Sequence, residues 1–428
     1  MSKAIGDPAG PGADRKWSNN LRRGRVPGPR LPEQRVMDDD LGMSTRSVHS
    51  GTYIDPATGS VGTPIFTSST YEFNEHTYGA FDQGHIRDVP IYGRYGTPNQ
   101  WVVQEKVAAL ENAESAVAFA SGMAAITTAL LTLTNRGGHI VSSRDVYGGT
   151  YNLLREDMPQ FGRDVTFTDP TDIREIEAAV RPETQVLFFE TLTNPLLKSI
   201  PLPELGELAR RENLLLVIDN TFLTPYCLRP LDLGAHVVIH SATKYLGGHS
   251  DLTAGVAAGS RKYMDRIWTE LLKLGGSLDA FGCFLLERGL KTLAVRMRTH
   301  IENANLLAAF LNEHPRVTAV HHPSLSGYPY PRLREWCATG FGGMVSFEVE
   351  GGDEAALKFL DRLTIPAVAT SLGGVESLVS LPFNTSHSFL TVRQRRELGI
   401  QPGLVRLSVG IEDSADLITD IDTALTGI

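Results

Sequence analysis

The sequence predicts an α/β protein, with a large doubly wound, mostly parallel sheet domain followed by a smaller C-terminal α/β domain. Three observations predict it. From about Thr45 onward, short apolar runs alternate with helix-like stretches. Several of those runs are apolar without interruption, as strands buried on both faces must be. After about Leu290 the texture shifts to one long helix, a strand-like alternating segment and a closing helix.

Taken in order, residues 116–119 read as a strand and 123–133 as the helix that follows it. Residues 139–142, 186–190, 214–219 and 236–240 read as further buried strands, with a helix at 203–211 between two of them. Beyond these, 292–312 reads as the long helix, 343–349 as a strand and 416–425 as the last helix. The expected division is a tail at 1–44, an N-terminal arm at 45–96, the large domain at 97–290 and the small domain at 291–428. The tail interleaves Pro8, Pro11, Pro27, Pro29 and Pro32 with Arg15, Lys16, Arg22, Arg23 and Arg25. It has no apolar stretch of the secretory kind, and its composition predicts disorder.

A chain of 428 residues, 42% of them hydrophobic, is long enough for more than one packed core. The formal charge of -9 gives no reason to expect nucleic acid as a partner. No apolar run reaches the roughly 20 residues of a membrane helix. Cys227, Cys283 and Cys337 are few and widely spaced. They suggest neither a disulfide framework nor a zinc site, and they fit a reducing cytoplasm.

The most telling stretch is 240–249, His-Ser-Ala-Thr-Lys-Tyr-Leu-Gly-Gly-His, centred on Lys244. It follows an apolar strand, and a lysine in an apolar setting loses its proton or finds a partner. Such a lysine is a candidate imine-forming nucleophile. Upstream, Asp219 ends another apolar strand, where ligands bind in open α/β sheets. An acid at one strand end and a lysine beyond the next match the needs of pyridoxal phosphate.

Other segments supply weaker candidates. Ser121-Gly122-Met123 joins a strand to a helix whose free N–H groups suit a phosphate, and Ser241 and Thr243 can add hydroxyls. Tyr147 follows a strand end, where its ring can stack on a planar cofactor and its hydroxyl can move a proton. Tyr92 and Arg94 sit in a compact turn, and Arg94 suits a phosphate whose owner the turn does not identify. Arg406 falls on the inward face of an alternating segment and needs an anion: a substrate carboxylate, or Glu412 or Asp413.

From about Thr45 to the end the chain resembles the cystathionine synthase/lyase group of Cys/Met metabolism enzymes, and the Ser-Ala-Thr-Lys-Tyr stretch is the most specific part of the match. The resemblance implies the aminotransferase-like fold known as fold type I, with pyridoxal 5'-phosphate as cofactor and an amino acid as substrate. Residue by residue it implies that Lys244 carries the cofactor and Asp219 pairs with its ring nitrogen. Gly122, Met123, Ser241 and Thr243 hold the phosphate, Tyr147 stacks on the ring and Asn194 approaches the ring hydroxyl. Ser371 and Arg406 face the substrate. Tyr92 and Arg94 reach the phosphate of a neighbouring subunit, which implies a homotetramer built as a dimer of dimers, with sites shared between chains.

Several positions depart from the group's usual pattern. Thr97-Pro98-Asn99 and Thr385-Ser386-His387 stand where Asn-Pro-Thr and Met-Thr-His are usual. Thr370 occupies a position that is often Glu in enzymes handling cystathionine, and Gly149 one that is often Cys in methionine γ-lyases. The expected activity is γ-elimination from a γ-substituted L-amino acid. The alternative is γ-replacement on an activated homoserine ester, or chemistry with a non-sulfur leaving group.

Overall fold

The structure is a computed structural model that describes residues 41–337, 339–385 and 391–428. The tail expected at 1–44 lies almost entirely outside the described residues, and its last residues enter the helix Met43–His49. Ser386 and His387 also lie outside them.

The large sheet has seven strands: β1 (Ser115–Phe119), β2 (His139–Ser143), β3 (Asp164–Thr168), β4 (Thr184–Glu190), β5 (Leu215–Asp219), β6 (Val237–Ser241) and β7 (Gly255–Gly259). Their order is β1-β7-β6-β5-β4-β2-β3. The strands from β6 to β3 are parallel, and β7 runs antiparallel to both its neighbours. Side chains alternate between two apolar layers. Leu187 and Phe189 of β4 join one layer, Val186 and Phe188 the other, and all four are fully buried. Burial on both faces is why these segments read as unbroken apolar runs. The helix Pro98–Glu111 covers the first layer and Gly122–Leu133 the second.

The sequence reading has no strand at β7. Its residues, Gly-Val-Ala-Ala-Gly, are too small to signal one, but the packing requires that smallness. A Cβ on Gly255 would stand 2.1 Å from the Ser121 carbonyl oxygen.

The small sheet is made of β8 (Val317–His321), β9 (Met344–Val349), β10 (Ala367–Val368), β11 (Leu378–Ser380) and β12 (Leu404–Ser408), ordered β10-β11-β12-β9-β8. The helix Leu293–Glu313 joins the two halves physically. Leu293, Met297 and Ile301 belong to a core of the large sheet, and Ala304, Leu307 and Leu311 to the core of the small one.

The arm before Pro98 carries the helix Glu75–Asp82 besides Met43–His49. Buried Lys106 fixes the first helix by donating to the carbonyls of Ser47, Val48 and Ser50. Burial foremost lowers the Lys106 pKa to about 8. Arg87 ties the arm to Asp265 and to the Ala116 carbonyl. No helix among the described residues is long and apolar enough to cross a membrane.

Candidate active site

The parallel register decides which side chains meet. Glu190 of β4 pairs with Asp219 of β5, and Asp219 with Ile239 of β6. Period-two alternation then puts Glu190, Asp219 and Ser241 on one face, at the carboxyl ends of three adjacent strands. His240 points to the other face, where its Nε2 meets buried Glu111 at 2.5 Å. The carboxyl edge on the first face opens into a cavity of about 600 Å³, closed on its far side by small-domain residues Thr370, Ser371 and Arg406.

Lys244 lies in the loop from β6 to β7. Its Nζ donates to Ser371 Oγ at 2.6 Å. Burial first, and the charge of Arg406 second, lower its pKa to about 8. The loop is held by Arg296, which sequence reasoning missed. Its buried guanidinium donates to the carbonyls of Tyr245 and Gly289 at 2.7 and 2.8 Å. A Cβ on Gly248, at φ +73°, would collide with that guanidinium at 2.0 Å. Gly373, at φ +77°, lets the Ser371 turn lie against the loop, because a Cβ there would stand 2.6 Å from the Tyr245 nitrogen.

Asp219 is 8% exposed, and its Oδ1 accepts from the Thr221 N–H and hydroxyl at 2.9 and 2.5 Å. Its Oδ2 has no hydrogen-bond partner among the described residues. Burial raises its pKa against those two bonds. Among the described residues Arg406 is equally short of a counter-ion. Its Nη1 donates to Asn194 Oδ1 at 3.2 Å and its Nη2 to the Ser371 carbonyl at 3.1 Å. The internal salt bridge to Glu412 does not form, because Glu412 accepts from the Ser377 N–H and hydroxyl instead. Burial lowers the Arg406 pKa to about 10.

The helix Gly122–Leu133 points its N-terminus into the same cavity. Ser121 caps it, accepting the Ala124 N–H at 3.0 Å, while the N–H groups of Gly122 and Met123 have no acceptor among the described residues. Ser241 packs on Gly122, and the Thr243 hydroxyl exchanges bonds with the backbone of Ala254. Tyr147 is half exposed, and Glu190 Oε1 accepts its N–H at 2.7 Å. Glu190 and Thr221 are further cavity residues that sequence reasoning missed.

Eleven of the thirteen expected site residues line this cavity, Tyr92 and Arg94 being the exceptions. Arg94 donates to the Leu272 carbonyl at 2.7 Å and sits over the rings of Tyr92 and Tyr95.

These groups fit pyridoxal phosphate. Asp219 is a buried acid without a cation partner among the described residues, suited to a protonated ring nitrogen. The free N–H groups of Gly122 and Met123 at the helix N-terminus, beside Ser241, suit the phosphate. Lys244 is an amine of lowered pKa, suited to the aldehyde carbon, and the exposed Tyr147 ring offers a stacking surface.

Comparison with known proteins agrees with that geometry. Residues 44–426 match the family described as Cys/Met metabolism PLP-dependent enzymes. The cystathionine gamma-lyase of Bacillus subtilis (strain 168) is 42% identical over 388 residues, covering 90% of this chain and 99% of the relative. The L-methionine gamma-lyase of Pseudomonas deceptionensis is 41% identical over 389 residues, covering 90% and 98%. The crystal structure of cystathionine gamma-lyase from Lactobacillus plantarum complexed with L-serine is 36% identical and superposes with a TM-score of 0.85, covering 91% of this chain and 99% of that one. Fold, cofactor site and sequence therefore agree that this chain belongs to the Cys/Met metabolism family of PLP-dependent enzymes.

Proposed function

We propose that this protein is a γ-lyase that removes the γ-substituent of an L-amino acid, releasing 2-oxobutanoate and ammonia. The observation that carries this reading is the bridge at Ser371. One residue accepts from the Lys244 amine through its hydroxyl and from Arg406, a buried cation without an anion among the described residues, through its carbonyl. That arrangement supports a base and a carboxylate clamp side by side, as an α-amino acid requires.

Bound pyridoxal phosphate supplies a conjugated ring that delocalises the charge left at Cα when its proton is removed. The chain's own residues do the rest. Arg406 takes the substrate's α-carboxylate. Asp219 holds a negative charge where the ring nitrogen must stay protonated. Lys244 takes the proton from Cα and then one from Cβ, and Tyr147 protonates the departing γ-group. Overall the Cγ–X bond breaks, X leaves with a proton, and water releases the keto acid and ammonia, with no oxidant consumed.

Beside Arg406, the far wall of the cavity presents Thr370, Asn384 and Thr385, all uncharged. Among the described residues, the acids lining the cavity are Glu190 and Asp219, at the strand ends. This supports an uncharged γ-substituent, with a thioether the simplest case. Tyr92 and Arg94, outside their own cavity, are assigned to the phosphate of a neighbouring subunit in a homotetramer. The arm supports that assignment, because it leaves Val61, Ile65, Phe73, Tyr78, Phe81 and Tyr92 exposed. Three buried free cysteines support a reducing cytoplasm as its location.

The test is a panel of γ-substituted amino acids, run with and without added thiol. 2-Oxobutanoate and ammonia without thiol are the expected products. Pyruvate would place the bond cleavage at Cβ, and thioether formation that outpaces keto-acid release would make the enzyme a γ-replacement synthase.

A further inference from the structure

Glu190 has no part in the assignments above, yet it lines the same cavity. It ends β4 as Asp219 ends β5, and the two are register partners on one face of the sheet. The side chain is 6% exposed and forms no ion pair among the described residues. One oxygen accepts the Tyr147 N–H, and the other has no hydrogen-bond partner there. That N–H bond matters to Tyr147, which opens a five-residue helix without a side-chain cap and holds its ring half in the open.

We propose that Glu190 is a positioning residue of the cofactor site: it fixes Tyr147 through the backbone and holds a proton beside Asp219, leaving Asp219 as the site's one carboxylate. The inference rests on this cavity being the cofactor site. Its physical basis is the strand spacing, roughly 4.8 Å between neighbours, at which two buried carboxyls do not both ionise. Asp219 has the stronger claim to the charge, because two donors from Thr221 favour its ionised form and Glu190 has one donor. Burial first, then the charge of Asp219, push the Glu190 pKa well up against the Tyr147 N–H. The other charged neighbours do not reverse this. Asp145, beyond β2, adds further negative charge and is itself paired with Lys198. His240, on β6, acts on Asp219 and favours its ionised form. Held neutral, Glu190 leaves a single negative charge to match a single ring cation.

The test compares wild type, Glu190→Gln and Glu190→Ala as holoenzymes and as cofactor-free proteins. Borohydride reduction and peptide mapping come first. A label absent from Lys244 would overturn the cavity assignment and this inference with it. With the label in place, cofactor affinity and the pH titration of cofactor absorbance decide. Glu190→Gln keeps an acceptor for the Tyr147 N–H and adds no charge, so it should match wild type within about threefold in affinity and share its pH profile. Glu190→Ala should weaken cofactor binding about tenfold, the effect of losing one net hydrogen bond.

Thermal unfolding of the cofactor-free proteins gives a second readout. A carboxyl whose folded pKa is raised costs stability as pH climbs above the ordinary carboxylate range, and an amide does not. The midpoint of Glu190→Gln should therefore equal or exceed that of wild type, by a margin that grows with pH. The inference fails if Glu190→Gln is as damaged as Glu190→Ala, if its pH profile moves, or if Glu190→Ala binds cofactor like wild type. Should the alanine variant not fold, the comparison of Gln with wild type decides alone.

Discussion

At the residue scale, the site was legible wherever a side chain contradicted its surroundings. Asp219 ends one apolar strand and Lys244 follows another, and a charged group in apolar surroundings calls for a partner. Arg296 and Glu190 gave no such signal. Arg296 sits within a helix of mixed composition and meets the Lys244 loop some 50 residues away in sequence. Glu190 ends an apolar strand just as Asp219 does, but its meaning depends on which strand lies beside it, and sequence does not state the order β6-β5-β4. Lys244→Ala should fold and still bind pyridoxal phosphate non-covalently, yet lose turnover by several orders of magnitude, as removal of a covalent catalyst does. Steady-state kinetics checks this, and wild-type activity would sink the mechanism. The lowered pKa of Lys244 gives a pH test. Below about 8 the side chain is an ammonium, and above it a free amine. Capture of the cofactor by cofactor-free protein should therefore accelerate about tenfold per pH unit below that value and level off above it. Stopped-flow absorbance would show a pH-independent rate if the assignment is wrong. Asp219→Asn should slow exchange of the substrate's α-proton with solvent by about 10²–10³-fold, the scale of losing one preorganised electrostatic partner. Cofactor affinity should fall less, and an unchanged exchange rate by NMR would count against the role of Asp219.

At the element scale, the large sheet was readable where strands are buried on both faces and unreadable where small residues build it. β4 and β5 announce themselves through apolar runs. β7 does not, because close approach to Ser121 selects Gly and Ala there. The arm's first helix was missed for a related reason: the capping of Met43–His49 comes from Lys106, far along the chain. The turn carrying Thr370 and Ser371 lies between β10 and β11, and Gly373 holds it against the Lys244 loop. Ser371 is thereby committed to Lys244 and Arg406, which leaves Thr370 as the neighbouring side chain on the cavity's far wall. A substrate with a distal ammonium would find no carboxylate there, and leaving that charge unpaired costs about 1–3 kcal/mol. An uncharged γ-substituent should accordingly show the higher kcat/KM, by roughly ten- to hundredfold. Thr370→Glu should move the preference toward cystathionine. The reasoning fails if wild type already cleaves cystathionine better than every uncharged analogue.

At the scale of the whole molecule, the site exists because two domains close on one cavity. The large sheet contributes the strand ends and the helix N-terminus, the small domain contributes Arg406 and Ser371, and the helix Leu293–Glu313 runs through both cores and fixes their relation. What one chain does not bring to its own cavity is Tyr92 and Arg94. Arg94 is a cation bonded to a backbone carbonyl, beside an exposed tyrosine, on an arm that leaves apolar side chains uncovered. An exposed apolar surface of this kind fits burial against another chain. If Arg94 completes a neighbour's phosphate site, two crippled proteins should rescue each other. Arg94→Ala chains lack the arginine but keep Lys244, while Lys244→Ala chains keep the arginine and lack the lysine. In a hybrid dimer one site then holds both defects and the other holds both wild-type residues. Random exchange puts half of all dimers in the hybrid form, so recovery should approach a quarter of wild-type activity, where each variant alone gives almost none. The measurement is turnover after mixing, with exchange verified by mass spectrometry of differently labelled chains. No recovery despite verified exchange would mean that each site is built within a single chain.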